Sequence, residues 1–529
     1  MARARHEARD AGGPALNEDA ARERLQAGAR HRDAGESAEA RRCAGEVLAA
    51  DPGNAEAAVL MAALAADDND FGEGHRWVRR ALEADPKAAA SHYTLGRLYQ
   101  AAGRLAEAEA SYLLALDLAP ESAKAHNNLG CVQHMLGKLD LAVASYRRAL
   151  EFDPSLPQAN QNLAAITSDP AQAESAIAGY QRHLQQNPGD AGAHNNLGNV
   201  FRELGRHREA LASFDAAIRC DPELAEAHFS RALQLLTVGR LVEGWKEHEW
   251  RWKVNALGAP RISGRKWQGE DLDGGTLLLH AEQGMGDALQ FARYATLAAA
   301  RCGKLVLECQ RPLAPLLGTL AGVSRVVPEG DALPPFDAQL SLMSLPNVFE
   351  TSLQTIPWSG PYLRADPQRA SEWRGRLARG ARRHVGLVWA GRPQQRNNHN
   401  RSIPVEALAP LASARDIAFY SLQVGEASRQ AAAAPGGLKM IDLTAGIRDF
   451  ADTAAFASNL DLLISVDTSV AHLAGAMGLP TWLIAAYSAD WRWLLDREDC
   501  PWYPSVRIFR QASPGAWAGV IERVAAALA

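Results

Sequence analysis

The chain has 529 residues, a net charge of −5 and 47% hydrophobic residues. That length exceeds one ordinary core, so two or three domains are expected, and the mild acidity gives no nucleic-acid footprint. The cysteines Cys43, Cys131, Cys220, Cys302, Cys309 and Cys500 are scattered with no CxxC pair, which supports neither a zinc site nor a disulfide framework. The N-terminal stretch MARARHEARDAGGP is charged and lacks the apolar segment of a signal peptide. No apolar run reaches membrane-spanning length, so a cytoplasmic protein without membrane insertion is expected.

Residues 1–20 read as a polar lead-in. From there a period appears: Pro52, Pro86, Pro120, Pro154, Pro188 and Pro222 recur every 34 residues. Gly28, Gly96, Gly130 and Gly198 share a second phase, Ala40, Ala108, Ala142, Ala176 and Ala210 a third, and Tyr112, Tyr146, Tyr180 and Phe214 a fourth. The pattern resembles the tetratricopeptide repeat, a helix–turn–helix unit of that period. Small residues let paired helices approach, the aromatic fills the space between them, and proline ends the second helix. Six such repeats are assigned to 21–224 as an α-helical superhelix. Residues 225–265 read as a degenerate seventh unit, an adaptor that packs on the next domain. Its phased Gly and Pro positions hold Ala232 and Ala256, and it carries Trp245, Trp250 and Trp252.

One more phase bears on function. Asn128, Asn162 and Asn196 lie 34 residues apart on the first helix of each repeat. A primary amide offers donors and an acceptor, so a ladder of them can pin the backbone of an extended peptide without reading its sequence. A merely solvated polar face is the alternative. The peptide groove is favoured because Asn is a poor mid-helix residue with little structural reason to recur. Helical repeats make concave binding surfaces, so this half predicts an acceptor protein or peptide as partner.

From about Lys266 short apolar runs alternate with helical stretches: Thr276–His280, Lys304–Glu308, Ala338–Met343, Val385–Trp389, Ile417–Leu422, Leu462–Val466, Thr481–Ala486 and Val506–Phe509. That alternation predicts parallel sheets flanked by helices. A Pro/Trp/Arg-rich stretch, Pro357 to Arg383, separates two clusters of runs. The expectation is two Rossmann-like domains, 266–383 and 384–529, with a cleft between them.

Three strand ends carry the polar residues. After Thr276–His280 comes Gly284-Met285-Gly286-Asp287, where glycines let the backbone approach a ligand and the Asp287 carboxylate stands at a helix start. A tight turn with a capping carboxylate explains the same residues. After Val385–Trp389 a polar loop carries Arg392, Arg396 and Arg401, whose forked donors suit phosphate oxygens. After Leu462–Val466 come Asp467, Thr468 and Ser469 and then a helix to Gly478-Leu479-Pro480. Free N–H groups at such a helix start favour a diphosphate; the same triplet alone also reads as a helix cap. In open α/β sheets ligands bind at the carboxyl ends of strands, where all three loops would lie.

The α/β half resembles a GT-B glycosyltransferase. Gly286-Asp287 and Asp467-Thr468-Ser469-Val470-Ala471-His472 are similar to the two ends of the heptosyltransferase pattern, with Ser469 where that pattern usually has Gly. Tetratricopeptide repeats joined to such a half resemble O-GlcNAc transferase and related bacterial protein glycosyltransferases, which use an asparagine ladder to hold acceptor peptides. The resemblance implies that Thr468, Ser469 and Val470 bind the donor diphosphate through backbone N–H groups. By the same resemblance Asp467 contacts the sugar, Arg401 neutralises the leaving phosphate and Asp287 is the general base. His280 is a secondary catalytic candidate; Gly284, Gly286 and His472 complete the donor site.

The expected activity is inverting sugar transfer from a nucleotide sugar, with a UDP-linked donor as one candidate, to a hydroxyl on a protein held by the repeats. No cofactor or metal is expected. By family analogy one acceptor class is a surface or flagellar protein modified before export. Two alternatives stand beside this. The acceptor is a glycan or lipid-linked saccharide, with the repeats recruiting a partner; or the chain is a non-catalytic scaffold.

Overall fold

The computed structural model describes residues 17–529 apart from 69, 154–155, 157, 160–161, 164–165, 167–169, 255–260 and 393–397. The chain divides into two compact units, Met1–Gly179 and Tyr180–Ala529. The division falls inside the repeats, within the helix Pro170–Gln186, and not at their expected end near residue 224.

In the first unit the helices Glu18–Asp33, Ser37–Ala50, Ala55–Asp67, Phe71–Ala84, Ala89–Ala101, Leu105–Leu118, Ala123–Met135 and Leu139–Phe152 pair in order. The glycine and aromatic phases turn out to be one device. A Cβ on Gly96 would stand 2.7 Å from the Tyr112 ring, and one on Gly130 would stand 2.7 Å from the Tyr146 ring. Both tyrosines are buried. Any larger residue at the glycine would push the paired helices apart. Gly28 has no aromatic in phase; its Cβ would meet Leu60 of the following repeat at 2.8 Å. Side chains of Asn17, Asn54, Asp70 and Ser122 accept from backbone N–H groups and cap the helices that follow them.

Two phases went unread in the sequence. Gly35, Gly103, Gly137, Gly205 and Gly239 occupy the interhelical turns with φ between 72° and 80°, the left-handed region that favours glycine. His92 and His126 donate from Nε2 to the Pro86 and Pro120 carbonyls at 3.1 and 2.9 Å. His194 and His228 repeat the contact with Pro188 and Pro222, each at 3.0 Å. A carbonyl only accepts, so Nε2 carries the proton in each.

The second unit opens with the helices Ala191–Glu203, His207–Cys220, Ala225–Thr237 and Leu241–His248 and a 3₁₀ turn Glu249–Lys253. Among the described residues its strands are β1 Thr276–His280, β2 Lys304–Cys309, β3 Arg325–Pro328, β4 Ala338–Ser341, β5 Arg383–Val388, β6 Ile417–Ser421, β7 Met440–Asp442, β8 Leu462–Val466, β9 Thr481–Ala485 and β10 Val506–Arg510. They form two all-parallel sheets, β3-β2-β1-β4 and β10-β9-β8-β5-β6-β7. This is an α/β fold. In each sheet the strand order reverses beside the first strand, between β1 and β4 and between β5 and β8. Chains leaving those strands diverge there and open a crevice at the carboxyl edge.

Two features differ from the expected division at residue 383. The helix Pro367–Arg374 packs on Phe450–Ala457 of the second sheet. Trp373 stacks on Phe456 with centroids 4.7 Å apart, and Arg369 pairs with Asp449 at 2.9 Å and Asp452 at 3.0 Å. The Pro/Trp/Arg-rich stretch therefore contains an element of the second half. In addition one apolar core joins Leu236 and Trp245 of the adaptor, Leu277 and Leu307 of the first sheet, and Leu473, Trp493 and Tyr503 of the second half. The halves share a core on that side.

Candidate functional site

The chain leaving β1 turns at Gly284 into the helix Met285–Phe291. Asp287 stands in its first turn and accepts from the Gly284 N–H at 2.8 Å through Oδ2. Its Oδ1 is paired with Arg492. Both carboxylate oxygens are thus engaged. Burial pushes the Asp287 carboxyl above its ordinary range, while Arg492 pulls it down.

Arg492 follows β9 in the short turn Trp491–Trp493, capped by Asp490. Its Nη1 donates to Asp490 at 2.8 Å and its Nε to Gln290 at 2.6 Å. Trp491 lies under the guanidinium at 4.2 Å. Two carboxylates hold this buried cation firmly protonated. Sequence reasoning missed it. The available signal was Asp-Trp-Arg-Trp in the loop that follows β9, a charge bracketed by two large apolar rings.

The chain leaving β8 passes Asp467 and Thr468 into the helix Ser469–Ala476. The Thr468 side chain does not cap this helix; its hydroxyl meets Ser465 Oγ at 3.1 Å. The first-turn N–H groups of Ser469 and Val470 therefore receive no cap from Thr468. Burial and the Asp490 carboxylate push Asp467 up to about 6, against the pull of Arg401 and Arg492. His472 Nε2 lies 3.7 Å from Asp467. Burial holds the ring well below its usual pKa, so it is neutral at pH 7. Its Nδ1 meets Tyr503 Oη at 3.0 Å, and Trp493 stacks on it at 5.2 Å.

The two helix starts meet. A Cβ on Gly286 would lie 2.9 Å from His472 Cδ2 and 3.6 Å from Ser469 Cα, so only glycine permits this approach. Arg401, in the helix Asn398–Arg401 after β5, donates to the Asp467 backbone carbonyl at 2.9 Å. Among the described residues its Nε is buried without a partner, and burial lowers its pKa. A buried N–H without a partner is a donor held ready for an anion. Arg392 is exposed, and Arg396 lies outside the described residues.

The structure thus brings Gly284, Gly286, Asp287, Arg401, Asp467, Thr468, Ser469, Val470 and His472 to facing carboxyl edges. His280 is placed differently. It ends β1, is buried, and contacts Gln339 of β4 at 2.9 Å. Burial lowers its pKa, and its hydrogen bond goes to Gln339 and away from the Asp287–Arg492 pair.

The ladder is partly committed to the repeat stack. Asn128 donates to Tyr93 Oη at 3.1 Å, and Asn162 donates to Asn127 Oδ1 and Cys131 Sγ, both at 3.2 Å. Asn196 is half-buried. Among the described residues no cluster of His, Cys, Asp and Glu could hold a metal ion, and no helix is long and apolar enough to cross a membrane.

Comparison with known proteins supports the repeat half. A family described as tetratricopeptide repeat matches residues 93–157, and one described as TPR repeat matches 198–239. A curated relative, protein FlbA of Caulobacter vibrioides, is 31% identical over 328 residues, 57% of this chain and 54% of the relative. The chain thus matches about half the length of that relative. Solved structures with similarity to part of the chain include YrrB, described as a TPR protein with an unusual peptide-binding site. It is 23% identical over 36% of this chain and 98% of YrrB, at TM-score 0.24. Pseudomonas aeruginosa pilF is 21% identical over 40% of this chain and 98% of its own, at TM-score 0.28. Scores this low carry no argument. What stands is a repeat-containing protein of protein-binding type with an α/β second half.

Proposed function

We propose that this chain is a GT-B glycosyltransferase. It moves a sugar from a nucleotide-sugar donor to a hydroxyl on a protein held along the repeats. One observation carries the reading: Asp287, Arg492, Asp467, Arg401 and an uncapped helix start converge at the carboxyl edges of two parallel sheets.

In the proposed reaction the acceptor hydroxyl attacks the anomeric carbon, and the bond from that carbon to the diphosphate oxygen breaks. Asp287 takes the hydroxyl proton, and the nucleoside diphosphate leaves with the bonding pair. The N–H groups of Thr468 to Val470 and the Arg401 guanidinium offset the charge that develops on it. Since Arg492 occupies Asp287 Oδ1, the proton goes to a carboxylate whose second partner is a cation. Asp287 serves as base once Arg492 turns part of its bonding toward the donor phosphates. His280 has no step in this scheme. The engagement of both Asp287 oxygens also favours a second reading, a non-catalytic scaffold with an inactive α/β half.

The test is thermal stability of the full chain against a panel of nucleotides and nucleotide sugars, beside Arg401→Ala. A ligand that binds only the native state raises the melting temperature. Stabilisation by one nucleoside diphosphate, blunted in the variant, supports the transferase and names the donor class. A flat panel gives the lead to the scaffold. Removing residues 1–222 then separates acceptors: transfer to protein collapses, whereas transfer to a small glycan survives.

A further inference from the structure

The degenerate seventh unit departs from the repeat pattern in a specific way. The phased glycine is Ala232, the phased alanine is Gly244 and the phased aromatic is His248. A Cβ on Gly244 would lie 2.7 Å from Leu236 Cδ2, so the helices Ala225–Thr237 and Leu241–His248 cross closer than a phased alanine allows. The large ring stands three places earlier, at Trp245, and it turns out of the unit. Trp245 is 1% exposed. It meets Trp491 edge-on at 5.2 Å and 88°, Phe291 at 5.9 Å and 87°, and Trp502 at 6.4 Å and 82°.

Those neighbours are the backing of the candidate site. Phe291 ends the helix that carries Asp287, and Trp491 lies against the Arg492 guanidinium. A second grip lies just beyond, on the 3₁₀ turn. Arg251 is buried and donates from Nε to Glu282 at 2.7 Å, from Nη2 to Ser344 at 2.8 Å and from Nη1 to Glu249 at 2.8 Å. Glu282 belongs to the loop between β1 and Gly284. One short segment therefore holds both loops whose side chains pair across the site: Arg251 the loop leading to Asp287, Trp245 the turn that carries Arg492.

We infer that Trp245 is a positioning residue: its ring sets the Trp491–Trp493 turn and so the Arg492–Asp287 pair, making the degenerate repeat a structural part of the site. The inference deepens the transferase reading and rests on it for its catalytic consequence, but the geometric claim is separable. Edge-to-face aromatic contacts fix orientation as well as burying area. A leucine at 245 keeps the position apolar and loses the orientation. A phenylalanine keeps a ring; because the indole N–H has no partner among the described residues, it gives up no hydrogen bond.

The experiment uses the full chain as wild type, Trp245→Leu, Trp245→Phe and Arg251→Gln. Folded protein is labelled with phenylglyoxal, and modification of Arg492 is followed by mass spectrometry. In the wild type Arg492 is protected by its carboxylate partners and by burial. The expected result is roughly tenfold faster labelling of Arg492 in Trp245→Leu, as local opening grows more populated, with Trp245→Phe within about twofold of wild type. Where transfer is measurable, kcat falls in Trp245→Leu while acceptor KM holds, and Phe restores it. Should Trp245→Leu not fold, faster Arg492 labelling in Arg251→Gln is the supporting result. Unchanged Arg492 labelling in the folded variants overturns the inference. A wild type that neither transfers sugar nor responds to UDP overturns the transferase reading instead, and the labelling still decides the positioning claim.

Discussion

Replacing Arg492 by methionine removes a cation and leaves its acceptors behind. Asp287 Oδ1, Asp490 Oδ1 and Gln290 Oε1 all lose a donor, at a residue only 7% exposed. Removing one partner of a buried ion pair costs about 3–5 kcal/mol. The variant has one escape, to protonate Asp287, which burial already pushes upward. Holding a proton on a carboxyl with unfolded pKa ~3.9 costs about 1.4 kcal/mol per pH unit, so about 4 kcal/mol at pH 7 and under about 2 at pH 5. The sign follows from proton uptake. The raised carboxyl binds more protons folded than unfolded, so its contribution is full below the unfolded pKa and is lost as pH rises through the folded one. The variant's deficit against wild type should therefore grow by about 2–3 kcal/mol between pH 5 and pH 7. Adding Asp287→Asn should remove most of that growth. Urea unfolding at both pH values, with hydrogen exchange in Met285–Phe291 as the local probe, measures it. A deficit below about 1 kcal/mol, or one equal at both pH values, would refute the buried-pair reasoning.

Three further outcomes are expected. Gly286→Ala places a methyl 2.9 Å from a His472 ring fixed by Trp493 and Tyr503, so overpacking should cost about 1–3 kcal/mol in a thermal melt; an unchanged melting temperature would show that the helix starts are not in contact. Asp467 is raised to about 6, so its protonation stabilises the fold at low pH and this contribution disappears as pH rises through that value. Asp467→Asn should flatten this part of the stability profile between pH 5 and pH 7, and a profile of unchanged slope counts against the burial. Asn162→Ala loses bonds to Asn127 and Cys131, a cost of about 1 kcal/mol; a parallel rise in acceptor KM assigns it to the peptide groove, and an unmoved KM leaves it a stacking residue.

The repeats were readable because packing in them is periodic: Gly130 and Tyr146 sit in phase since a Cβ and a ring cannot share the space. Strands buried on both faces, such as β8, announce themselves as apolar runs. The runs missed β3 and β7, which stand at sheet edges, are short and are largely half-buried or exposed, so their sequences carry little apolar signal. Asp467 was visible as a polar residue just past a strand end, and Asp287 and Arg401 as polar residues in the segments that follow β1 and β5. Arg492 was not, because it is defined by a partner far away in sequence. Nor did spacing reveal that Asn128 and Asn162 spend donors on Tyr93 and Asn127, since those bonds depend on how adjacent repeats stack.

The pairing of Asp287 with Arg492 also has a kinetic side. Each glycine–aromatic contact in the repeats closes over a few turns of chain, so a repeat can form as soon as it leaves the ribosome. The Asp287–Arg492 pair spans 205 residues. Until the chain beyond β9 has been made and docked, the Asp287 helix start lacks its cation and its aromatic backing. The repeat half is thus able to engage a partner while the candidate site is still unassembled. During synthesis the repeats are finished while about half of the chain, including the turn that supplies Arg492, is still to be made.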